Sequence, residues 1–105
     1  MSIDALNITQ VMAKSAEAAH LLKLLSNQHR LLILCHLVEG ELCVGDLEQR
    51  LEISQSSLSQ HLARLRAKGI VEFRKESTTV YYRLVDPKAK QVLETLYKLY
   101  CLPSV

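Results

Sequence analysis

The sequence predicts one mainly α-helical domain that carries a β-hairpin just before its last helix. Apolar residues recur at helical spacing over residues 4–68, alternate with polar residues over 70–84, and return to helical spacing until about Cys101. The 105 residues suit a single domain spanning 1–105, and a hydrophobic content of 49% suffices for a modest core. A mainly α domain with one hairpin is therefore the expected fold class.

The first half of the chain predicts two helices. Residues 4–25 fit one helix, in which a break near Lys14 remains an open alternative. Ser26 and Asn27 are typical N-cap residues. The stretch RLLILCHLV after them is apolar almost all round, which is typical of a buried central helix. Gly40 is placed to end this helix.

A short helix and a longer one follow, separated by a turn. The short helix covers about 43–52. Ser54 is placed to cap the next helix, over 55–68, and Gly69 suits the left-handed position after it. This longer helix has an apolar stripe at i, i+4 and i+7 that consists of Leu58, Leu62 and Leu65.

The last third of the chain predicts a hairpin and a final helix. Apolar and polar residues alternate on both sides of a turn at 76–78, which indicates two paired strands within 70–84. Asp86 as N-cap and Pro87 at the first helical position begin the last helix. This order of helices, turn and hairpin is that of a winged helix-turn-helix.

The helix over 55–68 has a polar face that is suited to the major groove of DNA. Opposite the leucine stripe, Gln60 can bind adenine bidentately and the methyl group of Ala63 can contact thymine. The neighbouring Arg and Lys side chains suit phosphates or, from the hairpin, the minor groove. The predicted DNA-binding residues are Gln55, Ser56, Ser57, Ser59, Gln60, His61, Ala63, Arg64, Arg66, Lys68, Arg74 and Lys75.

The charge distribution favours the same interpretation. Residues 1–53 hold four Lys/Arg against seven Asp/Glu, whereas residues 54–105 hold nine against four. The balances of −3 and +5 indicate that the second half faces a polyanion. Two alternatives remain: a solvated helix with Ser and Gln as filler, and a basic face that contacts another protein. Steep salt dependence on duplex DNA distinguishes DNA binding from both.

The stretches LLKLLSNQHRLLIL, SQSSLSQHLARLRAKGIVEFRK and TVYYRL resemble the ArsR/SmtB family of winged-helix repressors over nearly the whole chain. The resemblance implies a homodimer that packs its first and last helices across a two-fold axis, with recognition helices roughly 34 Å apart. It also implies an imperfect palindromic operator in double-stranded DNA and a chemical signal that changes operator affinity. The expected interface residues are Leu6, Val11, Leu22, Val92, Leu93, Leu96, Tyr97 and Tyr100.

One open alternative for the signal is a metal ion bound near Cys43. The motif ELCVGDL resembles a metal-binding box of the family, but Gly45 stands where the box has its second cysteine. The last helix has Glu94 as its only carboxylate over 92–101 and no histidine there. Thiolate metal sites need three or four converging ligands. We therefore expect no metal and no cofactor, with a Cys43-based metal-responsive repressor as the alternative.

The other two cysteines suggest a thiol switch. Cys35 in LLILCHL and Cys101 in KLYCLP resemble the dithiol subgroup of the same family, which responds to sulfide and persulfide. The resemblance implies that the two form a disulfide or polysulfide bridge within one subunit when reactive sulfur species or another oxidant accumulates. The alternatives are a regulator without sensing cysteines, with Cys35 packed in the core, and a competing role for Cys43.

Enzymatic and membrane functions are not expected. The chain has no C-x-x-C motif, no glycine-rich phosphate loop and no set of nucleophile, base and orienting group. Its beginning, MSIDALNIT, lacks the features of a secretory signal, and no apolar run reaches the roughly 20 residues that a membrane span needs. Three cysteines without dense spacing suit a reducing cytoplasm. A cytoplasmic, sequence-specific DNA-binding regulator, acting as a repressor or as an anti-silencer, is therefore the expected class.

Overall fold

The computed structural model describes residues 7–103, which form five helices and three strands. In chain order these are α1 (Ile8–Leu25), α2 (Gln28–Leu37), β1 (Leu42–Cys43), α3 (Val44–Leu51), α4 (Gln55–Ala67), β2 (Val71–Glu76), β3 (Thr79–Leu84) and α5 (Pro87–Tyr100). The helix-turn-helix is formed by α3 and α4, and β2 and β3 are the wing. The predicted winged helix-turn-helix is confirmed.

Side-chain caps begin four of the helices, as elementary helix chemistry requires for their unpaired N–H groups. The side chains of Asn27, Ser54 and Asp86 each accept a hydrogen bond from a backbone N–H in the first turn of α2, α4 and α5. All three caps were predicted from the sequence. Asn7 caps α1 in the same way, and α1 continues through Lys14 without a break.

The sheet has the strand order β1-β3-β2 and is antiparallel. The hairpin is confirmed, and Ser77 takes a positive φ of 58° in its turn. The sequence pattern did not predict β1, in which Leu42 pairs with Tyr82 and Cys43 pairs with Tyr81. Two residues are too few to show an alternating pattern, so pairing with the wing creates this strand.

The core is one cluster of buried residues from all five helices and the start of β2. The three leucines of the predicted stripe, Leu58, Leu62 and Leu65, belong to this cluster, as do Leu47 of α3 and residues of α2. The predicted central helix α2 is buried on one side only, because Leu32 is 40% exposed and Cys35 is also at the surface. Ile33, Leu34 and Leu37 supply the buried side of α2. An apolar sequence does not by itself show which of its faces the neighbouring helices cover.

Candidate nucleic-acid interface and thiol pair

The face of α4 opposite the core is open to solvent. Most of the predicted DNA-binding residues on and just after this helix are exposed: Gln55, Ser56, Ser59, Gln60, Ala63, Arg64, Arg66 and Lys68. Ser57 and His61 are half-buried. The sharp turn between α3 and α4 passes through Glu52, whose φ is 52°, while Leu51 and Ile53 pack against the core. The helix is thus anchored by its leucines and presents short polar side chains outward.

The wing side of α4 is organised by aromatic contacts. The guanidinium carbon of Arg66 lies 4.6 Å from the ring centroid of Phe73, and the Phe73 ring lies 5.7 Å from that of Tyr82. Cation–π contact of this kind orients an arginine without neutralising it. Arg66 is thus held at the junction of α4 and β2 and makes no ion pair within residues 7–103.

Arg74 lies in a cluster of opposite charges on the wing. Its Nε and Nη2 donate to the Glu41 carboxylate at 2.9 and 2.7 Å, its Nη1 donates to Glu76 at 2.6 Å, and its guanidinium stacks 4.4 Å from the Tyr81 centroid. The two carboxylates raise the pKa of Arg74, and its hydrogen bonds lower the pKa of Glu41. Arg74 was predicted as a phosphate contact, but in the DNA-free protein its charge is already matched.

Lys75 is the remaining predicted contact on the wing, and it is exposed. Within residues 7–103 it makes no ion pair, whereas Arg83 pairs with Glu72. Lys75 is thus the predicted wing contact that has no carboxylate partner among these residues.

The other flank of α4 meets the beginning of α2. The rings of His61 and His29 are 5.8 Å apart in an edge-on arrangement. Burial lowers the pKa of His61, and the charges of Arg30, His29 and Arg64 lower it further. His29 was not among the predicted site residues, since nothing in the sequence places the start of α2 beside the middle of α4.

The thiols of Cys35 and Cys101 are both free and exposed, on α2 and at the end of α5. Burial by neighbouring atoms raises the pKa of Cys35, and the nearby Cys101 charge raises it further. The two sulfurs are therefore within electrostatic reach of each other. A cavity of about 460 Å³ adjoins Cys35, and Tyr97, Lys98 and Leu102 also line it.

Cys43 occupies a different place, in β1, where it is half-buried beside Tyr81. Among the residues that the structure describes, no group of three or more His, Cys, Asp or Glu side chains could hold a metal ion. In the same part of the chain, no helix is both long and apolar enough to span a membrane.

The predicted interface residues differ in their exposure. Val11, Leu22, Tyr97 and Tyr100 are exposed, Val92 and Leu96 are half-buried, and Leu6 lies outside the described residues. Leu93 is only 3% exposed, because it packs into the protomer's own core. The opposite face of α5 presents Leu99 outward instead, a residue that was not predicted.

Comparison with known proteins agrees with this geometry. A family model described as bacterial regulatory protein, arsR family, matches residues 27–72. The transcriptional activator HlyU of Vibrio cholerae is 50% identical over 96 residues, which are 91% of this chain and 89% of that protein. The structure of reduced HlyU from Vibrio cholerae has a TM-score of 0.84 at 50% identity, covering 89% of this chain and 98% of that one.

The crystal structure of the transcriptional repressor BigR from Xylella fastidiosa has a TM-score of 0.88 at 43% identity. The match covers 93% of this chain and 100% of that one. These relatives are a transcriptional activator and a transcriptional repressor, in agreement with the regulator that the sequence predicts. Their number and coverage also confirm the HlyU-like resemblance within the family. The chain therefore belongs to the ArsR family of bacterial transcriptional regulators.

Proposed function

We propose that the protein is a homodimeric repressor that binds an imperfect palindromic operator and changes its operator affinity when Cys35 and Cys101 become bridged by reactive sulfur species or another oxidant. The observation that carries this proposal is a pair of free, exposed thiols on the packed helices α2 and α5, with Cys35 and Leu102, the residue after Cys101, lining the same cavity. Each part of the proposal has its own support in the structure.

Operator binding is supported by the exposed face of α4. Ser56, Ser59 and Gln60 are exposed at its surface, and short polar groups of this kind can approach base edges closely. Arg64 and Arg66 lie on opposite flanks, where the phosphates of a groove would run. Base-reading groups between two phosphate-binding flanks are what a recognition helix requires.

Dimer formation is supported by apolar side chains that the protomer leaves uncovered. Every residue from 7 to 20 in α1 and its cap is exposed, including Ile8 and Met12. The radius of gyration is 15.8 Å, against about 13 Å for a compact domain of this length. Tyr100 at the end of α5 is 82% exposed. A helical segment that packs against nothing is only marginally stable in water. A second copy of the chain packed on α1 and α5 would cover these exposed surfaces.

The switching chemistry requires only the two thiols and a sulfur donor. A cysteine thiolate attacks a sulfane sulfur of a polysulfide, which forms a cysteine persulfide and releases a polysulfide shortened by one sulfur. The second thiolate then attacks the inner sulfur of that persulfide, expels HS⁻ and closes the Cys35–Cys101 disulfide. Such a bond needs Cα atoms within about 7 Å, and an additional bridging sulfur relaxes this limit. Because Cys35 lies on α2 and Cys101 at the end of α5, the bridge would fix α5, a helix of the proposed dimer interface, against α2 in the core that also holds α4.

The test combines peptide mapping with DNA titration. The reduced protein is treated with polysulfide and mapped by mass spectrometry without reduction, and both states are titrated with a duplex that the reduced protein has selected from a random-sequence pool. We expect a Cys35–Cys101 bridge and an affinity change of roughly 5- to 150-fold. Cys43→Ser is the matched control and should switch normally, whereas Cys35→Ser should not. Modification of Cys43 alone, or unchanged affinity of the bridged protein, would reject the thiol switch.

A further inference from the structure

Four side chains that are cationic or can become so meet where α2 begins beside α4. The His29 and His61 rings are 5.8 Å apart, and the charges of Arg30 and Arg64 act on the His61 ring. His61 and Arg64 are three residues apart on α4 and so lie on one flank of that helix. Because Arg30 and Arg64 are charged, protonation of a neighbouring ring adds repulsion that a bound anion would offset.

No carboxylate in the described part of the chain pairs with this cluster. The five ion pairs found between residues 7 and 103 involve none of its members. Arg30 is only 8% exposed, and its guanidinium donates to the carbonyl oxygens of Leu24 at 2.6 Å and Lys23 at 3.3 Å. These carbonyls at the end of α1 satisfy its hydrogen bonds but carry only partial charge, so a full counter-charge is still missing.

The position of the cluster indicates which anion completes it. His61 follows Gln60 directly, and Arg64 lies one turn further along α4. When the face that carries Gln60 enters a major groove, the flank that carries His61 and Arg64 meets the wall of that groove, where the DNA backbone runs. A phosphodiester is therefore the anion that reaches this place.

We propose that His29, His61 and Arg64 together hold one phosphate of bound DNA, and that DNA binding draws a proton onto His61. This inference rests on the DNA-binding part of the proposed function and is independent of the thiol switch. Arg30 does not contact the phosphate in this arrangement, but its buried guanidinium adds positive potential near the His61 ring.

The direction of the pH effect follows from the groups around His61. In the free protein, burial and the charges of Arg30, His29 and Arg64 lower the pKa of His61, which favours the neutral ring. A phosphate beside the ring favours its charged form and raises its pKa. The complex then holds more protons than the free protein, and DNA affinity rises as the pH falls through about 7.5 to 5.5. A pKa difference of one unit between the two states corresponds to about a tenfold gain in affinity.

The experiment uses the full-length reduced protein with two duplexes of equal length, one selected by the protein from a random pool and one of scrambled sequence. Affinities are measured by fluorescence anisotropy at constant ionic strength across that pH range, and circular dichroism checks the fold at each pH. Calorimetry near the middle of the range, in two buffers of different ionisation enthalpy, counts the protons taken up. Because a phosphate carries no sequence information, both duplexes should show the effect.

We expect a gain of several-fold to about tenfold at low pH for the wild-type protein, with net proton uptake. His29→Gln, at an exposed position that tolerates the change, should lose most of this gain, as should His61→Gln. His20→Gln, an exposed histidine of α1 outside the cluster, is the matched control and should retain it. A flat pH profile with normal DNA binding, or equal profiles for His29→Gln and His20→Gln, would overturn the phosphate contact. Failure to bind either duplex at any pH would instead overturn the DNA-binding proposal itself.

Discussion

Replacing Glu41 with glutamine should strengthen DNA binding by releasing Arg74. In the free protein Arg74 donates to two carboxylates, those of Glu41 and Glu76, so the three side chains carry +1 − 2 = −1 net charge. Glu41→Gln changes this sum to zero and removes the bidentate partner of the guanidinium. Arg74 then has one competitor instead of two when a phosphate approaches the wing.

The expected magnitude is that of one additional phosphate contact. Each phosphate that a protein neutralises on B-DNA steepens the plot of log affinity against log salt concentration by about 0.9. The variant should therefore show a slope more negative than that of the wild type by up to about 0.9. Its advantage in affinity should be largest at low salt and should shrink as salt is added.

The assay is a titration with duplex DNA at several salt concentrations. Glu39→Gln is the matched control. It removes the same charge two residues before Glu41, and Glu39 makes no ion pair within the described residues. Adding Arg74→Ala to the Glu41→Gln variant should restore the original slope. An unchanged slope in Glu41→Gln would show that Arg74 does not reach a phosphate, and weaker binding would show that the Glu41–Arg74 pair is needed to hold the wing in position.

Three further predictions concern base reading, the core and pH. Gln60→Ala should weaken binding to the selected duplex by about 1–3 kcal/mol while affecting a scrambled duplex less, and equal losses on both would remove Gln60 from base contact. Leu58→Ala, at a side chain that is 0% exposed, should lower the free energy of unfolding by about 2–5 kcal/mol in urea titrations, and a loss below 1 kcal/mol would contradict its place in the core. Since folding lowers the pKa of His61, the stability that this ring contributes is present above about pH 6.5 and is lost as the pH falls. Thermal unfolding of His61→Gln should therefore depend less on pH in this range than that of the wild type. An identical pH dependence of the two proteins would refute this linkage.

Local patterns predicted the helices, the hairpin and the polar face of the recognition helix. The leucine spacing of α4 and the caps Asn27, Ser54 and Asp86 are properties of neighbouring residues, and the structure confirms each of them. The final helix was also predicted, but one residue of its inward face was predicted to contact the second subunit of a dimer. Leu93 shows why: helical spacing separates the two faces of α5 but does not show which face the protomer itself covers.

The contacts that distinguish this site join residues far apart in the chain. Glu41 and Arg74 are 33 residues apart, and they meet because β1 pairs with β3 beside the wing. His29 meets His61 because the start of α2 packs against the middle of α4. The likeness of two short cysteine motifs to a known subgroup suggested the pairing of Cys35 with Cys101, and their electrostatic proximity became visible only in the fold.

The amino-acid sequence by itself determined the fold class, the helix that we propose faces DNA and the residue types on its exposed face, because these depend on periodicity and capping within a few residues. Only the tertiary structure decided which charges are free. Arg74 is paired with Glu41, whereas Lys75 makes no ion pair among the described residues. His61 lies near positively charged side chains, and no carboxylate among the described residues pairs with it. The physical reason is that the state of a charged group depends on neighbours within a few ångströms, and folding brings these neighbours from distant parts of the chain.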